Sequence, residues 1–224
     1  LALEKNPTTE KWFAATKDVS PVKGVANIGF NRSVTGNLEL LPLEYKDGTT
    51  SVTFSGLNMD YFNTEKATEI KVDGYMDALK VSLVDPKGAP FQAELNGLTL
   101  ASNLTKSSFG FYVGQNTVVL SNSTFTFGPE QAALTVKGFE QKDSSDTKDN
   151  NLDGRVDYKI TEIGYQGKPV GSAAMAVSVK NIDVPSTMVL TKLYQDKMQP
   201  VQAAQAAGQP IPELQLSEAE QVLA

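Results

Sequence analysis

The sequence predicts a mainly β protein: one long, bulged antiparallel sheet, groove- or sandwich-like, with a short helical segment at each end. Three observations predict it. Between residues 24 and 184 the chain is written in runs of about 10–17 residues, rich in Val, Ile, Thr, Tyr and Phe, that alternate apolar and polar. Turn signals bracket the runs, at Lys46-Asp47-Gly48, Asp85-Pro86-Lys87-Gly88, Gly114-Gln115-Asn116, Gly128-Pro129, Asp153-Gly154 and Gln166-Gly167. Within each run the alternation changes phase once. In VTFSGLNMDY (residues 52–61) the apolar positions move from Val52 and Phe54 to Leu57, Met59 and Tyr61 across Ser55-Gly56. Side chains in a strand change face every residue, so a phase change marks either a bulge or a turn.

Residues 1–18 read as a helical segment, with Asn6 as N-cap and Pro7 at the first helical position. It is expected to end near Asp18, because Pro21 disfavours helix at Ser20. Trp12 is read as packing this segment onto the sheet.

Residues 19–186 form the β domain, and the phase change recurs throughout it. Leu38 and Leu40 give way to Leu41, Leu43 and Tyr45; Ile70 and Val72 to Tyr75 and Leu79 across Asp73-Gly74; Ala93 and Leu95 to Leu98 and Leu100 across Asn96-Gly97. Val118 and Leu120 change to Phe125 and Phe127 across Ser121-Asn122, and Leu134 and Val136 to Phe139 across Lys137-Gly138. Ile160 changes to Ile163 across Thr161-Glu162, and Val179 to Ile182 across Lys180-Asn181. Two readings stand: two-residue hairpin turns joining short strands, or bulges inside long strands. Separate turn signals already bracket each run, which favours bulges. Gly56, Gly74, Gly97 and Gly138 are then expected to align across the sheet.

Residues 187–224 form a C-terminal helical segment. Leu190, Leu193, Tyr194, Met198 and Val201 make a one-sided stripe expected to pack on the sheet or a partner, and Pro200 should kink or restart the helix. Gln209 to Pro212 reads as a linker. The chain opens on Leu1, and it stops at Ala224 soon after the capping-box pair Ser217 and Glu220, so it is expected to be a piece of a longer protein.

Composition narrows the chemistry. The chain has 224 residues, 40% apolar and 21% charged, with a net charge of −6. That balance disfavours a nucleic-acid backbone as partner. Cys and His are both absent, which removes thiol chemistry, the commonest general base and the commonest transition-metal ligand. No catalytic, cofactor-binding or metal residue is assigned, and no enzyme activity is expected.

The sharpest local motif is Asp149-Asn150-Asn151-Leu152-Asp153-Gly154, with Asp157 following. Asp149, Asn151, Asp153 and Asp157 occupy calcium-loop positions, but Ile160 stands where a bidentate Glu is needed. The competing reading is a solvated loop ending in an Asp-Gly turn. Ser20-Pro21-Val22-Lys23 matches a serine–lysine string, yet Pro21 excludes the helix that would bring the pair together. Asn31, Asn103 and Asn122 head sequons at about the frequency chance provides. No pair among the 26 acidic residues stands out as a hydrolase dyad.

The segments GNLELLPLEY, VTFSGLNMDYF, AELNGLTL and VDYKITEIGYQGKPVGS resemble the YdgA family of bacterial envelope proteins, over nearly the whole chain. The resemblance implies a periplasmic body behind an N-terminal inner-membrane segment, a biochemical function that is unknown, and no catalytic residues. A fainter likeness links the face-switching strands to AsmA-like envelope proteins with greasy β-grooves. The expected role is therefore a non-enzymatic binding or scaffold module. Its expected partners are a second copy or another envelope protein, the membrane through sequence outside the chain, or a lipid in a groove. The remaining alternative is a carboxylate-based hydrolase of envelope polymers.

Overall fold

The computed structural model describes residues 4–7, 9–85 and 88–206. It divides into two units. The first comprises residues 1–146 and 154–178, the second residues 147–153 and 179–224.

All strands belong to one antiparallel sheet. In chain order the elements are α1 (Glu10–Ala15), β1 (Val22–Ile28), β2 (Val34–Leu40), β3 (Leu43–Asp47), β4 (Thr50–Phe54) and β5 (Leu57–Asn63). Then come β6 (Glu69–Val84), β7 (Pro90–Lys106), β8 (Tyr112–Phe127), β9 (Ala132–Lys148), β10 (Asn151–Tyr165), β11 (Lys168–Asp183) and α2 (Val184–Ala206). The sheet order is β1-β2-β5-β6-β7-β8-β9-β10-β11, with β3 paired to β4 and β4 also to β6. This is the long antiparallel sheet that the alternation predicts.

The phase changes are interruptions inside long strands. β4 and β5 both lie along β6: Phe54 pairs with Leu79, and the register resumes in step at Asn58 and Tyr75. β2 and β3 run on in the same way beside β5 and β4, with Leu40 opposite Leu57 and Leu43 opposite Phe54. Residues 52–54 and 57–61 are consecutive halves of one line, not two arms of a hairpin.

The interruptions align. Leu41 and Pro42 face Ser55 and Gly56, and the ladder skips Asp77 opposite Gly97, Gly97 opposite Ser121, and Ser121 opposite Gly138. Gly56, Gly97 and Gly138 take left-handed φ of 98°, 66° and 61°, where a side chain is disfavoured. Hydroxyls on the same or the neighbouring strand replace the missing ladder bonds. Ser121 Oγ donates to the Gly97 carbonyl at 3.2 Å and Thr161 Oγ1 to that of Gly138 at 3.4 Å. Ser55 Oγ accepts the Ala78 amide at 2.9 Å. The result is a crease crossing the sheet from the β2–β3 break to β10.

Several local expectations are corrected. Gly74 is not on the crease: it sits in a regular ladder between Met59 and Leu100, and β6 changes phase at Asp77. Buried Met76 continues the first phase past Gly74, while Tyr75 is half exposed on the other side. Gly114 is not in a turn but inside β8, paired with Leu104 and Ser145; the turn is at Ser107–Gly110, closed by the Gly110 amide on the Ser107 carbonyl. Asp153-Gly154 is likewise within β10. The hairpin turns instead at Asp149 and Asn150, whose φ of 49° and 67° are those of a type I′ turn. Regular helix α1 begins only at Glu10, although Asn6 Oδ1 does accept the Thr9 amide at 3.1 Å.

Directly paired residues share a face, so the register sorts side chains into rows. On one side of the crease an apolar row runs Leu40, Leu57, Met76, Leu98, Leu120, Phe139. Beyond it another runs Leu43, Phe54, Leu79, Leu95, Ser123, Val136. Ser123 fits this second row because it is small and its hydroxyl is turned to the Val136 carbonyl. Within β1–β10 only Met76 and Val113 are buried apolar side chains; the rest of the rows are half covered. Helix α1 packs against β3, with buried Phe13 and with Thr16 Oγ1 donating to the Val19 carbonyl at 2.6 Å.

In the second unit, the Val184 amide bonds the Asn150 carbonyl and the left-handed Asn181 gives its amide to Asp153 Oδ1 at 2.7 Å. Helix α2 continues through Pro200 to Ala206 without a break in its assignment. Its apolar stripe is only partly covered: Val201 and Ala204 are buried, whereas Leu190 and Tyr194 are exposed. Gly208, the 209–212 linker and the Ser217/Glu220 pair lie outside the described residues.

Asp183 caps α2, its Oδ1 accepting the Ser186 amide at 2.8 Å. Hydrogen bonds from the Ser186 side chain and amide hold its carboxyl below the usual carboxylate range. A carboxyl depressed on folding adds stability that is present above its unfolded pKa and lost as pH falls through the folded one. Amide-exchange protection in the first turn of α2 should therefore fall on acidification below the usual carboxylate range. In Asp183→Ala it should be low at every pH. In Asp183→Asn, which keeps an acceptor, it should be nearly independent of pH.

Candidate functional site

The calcium-loop residues are laid out along a strand. Asp149 is in the β9–β10 turn, while Asn151, Asp153 and Asp157 follow on β10. Alternate residues of a strand are about 7 Å apart, so Asp153 and Asp157 are separated by about 13 Å along the chain, too far to share one ion. Each is already engaged. Asp153 takes the Asn181 amide, and Asp157 is gripped bidentately by Arg155, at 2.6 Å from Nε and 2.5 Å from Nη2. Among the described residues no group of three or more acids could hold a metal ion.

The other sequence candidates are likewise dispersed. Ser20 Oγ donates to the Val22 carbonyl at 2.8 Å, and Lys23 is on β1, an extended strand that places no helical turn between them. Asn31 spends its side-chain oxygen on Ser33 in the β1–β2 turn. Asn103 is exposed on β7, and Asn122 sits beside the crease opposite Asn96 and Lys137. Trp12 lines a shallow depression with Leu43, Tyr45 and Val52, the helix-on-sheet position its sequence context implies.

Three surfaces remain once these are placed. The first is the pair of apolar rows flanking the crease. The second is an open depression over β9, β10 and β11, lined by Glu140, Lys142, Asp157, Lys159, Thr161 and the small residues Ser172, Ala174 and Ala176. Sequence reading missed it. Its local signal is the i, i+2 alternation of Glu140 with Lys142 and of Asp157 with Lys159, which places like-facing charges on neighbouring strands. Lys142 pairs with Glu140 at 2.9 Å. The Arg155 hydrogen bond holds the Asp157 carboxyl below its usual range, the opposite of what a general acid at neutral pH needs. The depression thus presents carboxylate and ammonium groups side by side.

The third surface is β11, the last strand of the sheet. It is exposed along almost its whole length, Val170, Met175, Val177 and Val179 included.

Comparison with known proteins gives a family and one curated relative. The family described as "Bacterial protein of unknown function (DUF945)" matches residues 1–224. The chain is similar to Protein YdgA of Escherichia coli (strain K12), 24% identical over 183 residues, which are 81% of this chain and 36% of that protein. The match thus spans little more than a third of that relative's length. No solved structure matches. Among the described residues no helix is long and apolar enough to cross a membrane.

Proposed function

Because this chain belongs to the DUF945 family of bacterial proteins of unknown function, we propose that it is a non-enzymatic binding or scaffold module of a bacterial envelope protein. In this reading it works in the periplasm and is held at the inner membrane by sequence outside these 224 residues. The observation that supports a binding role is the pair of apolar rows on a single sheet, half covered at every position except buried Met76 and Ser123. A row of this kind offers area to an apolar partner. The likeness to YdgA supports the envelope setting. Alkaline phosphatase, active only outside the cytoplasm, tests location. Fused after residue 224 of the intact protein, it should be active in cells; an inactive fusion that accumulates to normal level rejects the periplasmic reading.

A second reading follows from the length of the first row. Strands are about 4.8 Å apart, so the six positions from Leu40 to Phe139 extend about 24 Å, more than the ~15 Å that one leaflet's chains span. An acyl chain would lie along it. Native mass spectrometry of protein released from membranes without strong detergent should then show bound lipid, lost in Leu98→Glu and Leu120→Glu. Lipid-free protein, or lipid retained equally by both variants, rejects the groove.

A further inference from the structure

A sheet edge presents unpaired amides and carbonyls, and proteins ordinarily guard it with short strands, charges, prolines or bulges. The two ends of this sheet differ in that respect. β1 has seven residues and carries Lys23. β11 has 16, and from Pro169 to Val179 it holds no charged side chain. That stretch is exposed on both faces, so no other element among the described residues covers it.

We infer that β11 is a self-pairing edge, joining antiparallel to β11 of a second copy about a two-fold axis at Met175. Three features of the strand select this occupant and this register. An axis perpendicular to a sheet maps each residue onto one of the same face, so one odd-numbered or one even-numbered residue must oppose its own copy. Centred on Met175, Ala173 faces Val177 of the partner and Gly171 faces Val179, small against β-branched at each step. The exposed apolar row is thus complementary to its own reversal. Moving the axis one residue toward the N-terminus would put Lys168 against Lys180, a like-charge opposition that costs stability. Moving it one residue the other way pushes the pairing into Asn181, whose left-handed backbone already gives its amide to Asp153. From Gly171 to Val179 the paired length is about 30 Å, and every β11 group on that edge gains a ladder partner.

The inference goes beyond the binding role proposed above and does not depend on envelope location, since it is tested on the 224-residue chain in solution. The absence of cysteine makes the test clean. Directly opposed residues have Cα atoms about 4.5–5.5 Å apart, inside the range a disulfide spans. Met175→Cys should therefore oxidise to a linked dimer seen on non-reducing gels, whereas Ala174→Cys and Val25→Cys on the opposite edge should stay largely monomeric. Ala173→Cys mixed with Val177→Cys should link into a heterodimer, which keeps the test available if Met175→Cys fails to fold. Val177→Lys, with unchanged circular dichroism, should weaken dimerisation by roughly tenfold or more in sedimentation equilibrium. A chain that sediments as a monomer at about 100 µM, well above ordinary dimer constants, overturns the proposal. So does a dimer that links at Val25 and not along β11, or one indifferent to Val177→Lys.

Discussion

Gly114→Ala is expected to be the most damaging of the glycine-to-alanine changes in the sheet, lowering stability by about 3 kcal/mol. Gly114 has φ of 145° inside β8, and a Cβ built there would collide with the carbonyl oxygen of Asn103 on β7. That oxygen is backbone. It cannot rotate away, and moving it means prising β7 from β8 where Gly114 pairs with Leu104. Gly97→Ala is the instructive contrast. Its φ of 66° costs about 1–2 kcal/mol for any L side chain, and the new Cβ would lie 2.6 Å from Ser121 Oγ. A hydroxyl can be removed, so Gly97→Ala combined with Ser121→Ala should recover part of the steric cost, while the Cβ of residue 121, 2.9 Å from the new one, keeps the rest along with the conformational part. Gly48→Ala, in an open turn with nothing near its Cβ, should show the conformational cost alone. Urea unfolding of the series ranks them. If Gly114→Ala is no worse than Gly48→Ala, the close approach of β7 and β8 is misassigned.

Met76→Ala should cost about 2–3 kcal/mol, toward the lower end for a buried methionine because water can reach a site in a sheet with one packed row. Met76 is only 6% exposed and pairs with Leu98 in the apolar row beside the crease. Its neighbour Tyr75, 51% exposed on the other face, provides the control, and Tyr75→Ala should cost well under half as much. The same chemical denaturation reads both. Equal losses would mean that the first phase of β6 ends at Gly74, as local sequence implies, and not at Asp77.

Much of this architecture was legible in residue order. Gly56, Gly97 and Gly138 were readable as phase-change sites because the small residue and the shifted alternation coincide locally. Gly74 was misread for an equally local reason: a small residue next to an aspartate looks like the others, and Met76 is too adaptable a residue to settle the phase by itself. Gly114 looked like a turn residue because close backbone approach and turn geometry both select glycine. The calcium-loop string could be ranked below a plain loop from Ile160 alone, but its dispersal depended on the type I′ turn falling at Asp149-Asn150. The depression over β9–β11 could not be found by scanning, since Glu140, Asp157 and Ser172 share a surface only once three strands are in register.

What the sequence determined by itself was the period: two-residue alternation, its interruptions, and hence long antiparallel strands interrupted partway along. These are local properties of φ, ψ and side-chain direction. The interruptions are not bulges, since Met76 pairs with Leu98 and Ala78 with Asn96 with no residue added on either strand. What only the tertiary structure decided was the alignment. Register is set by pairing between residues far apart in the chain, and a three-residue shift there separates Asp77 from Gly74 as the residue that meets Gly97. That alignment turns separate interruptions into a crease, half-covered side chains into continuous rows, and a run of small apolar residues into the open edge of a sheet.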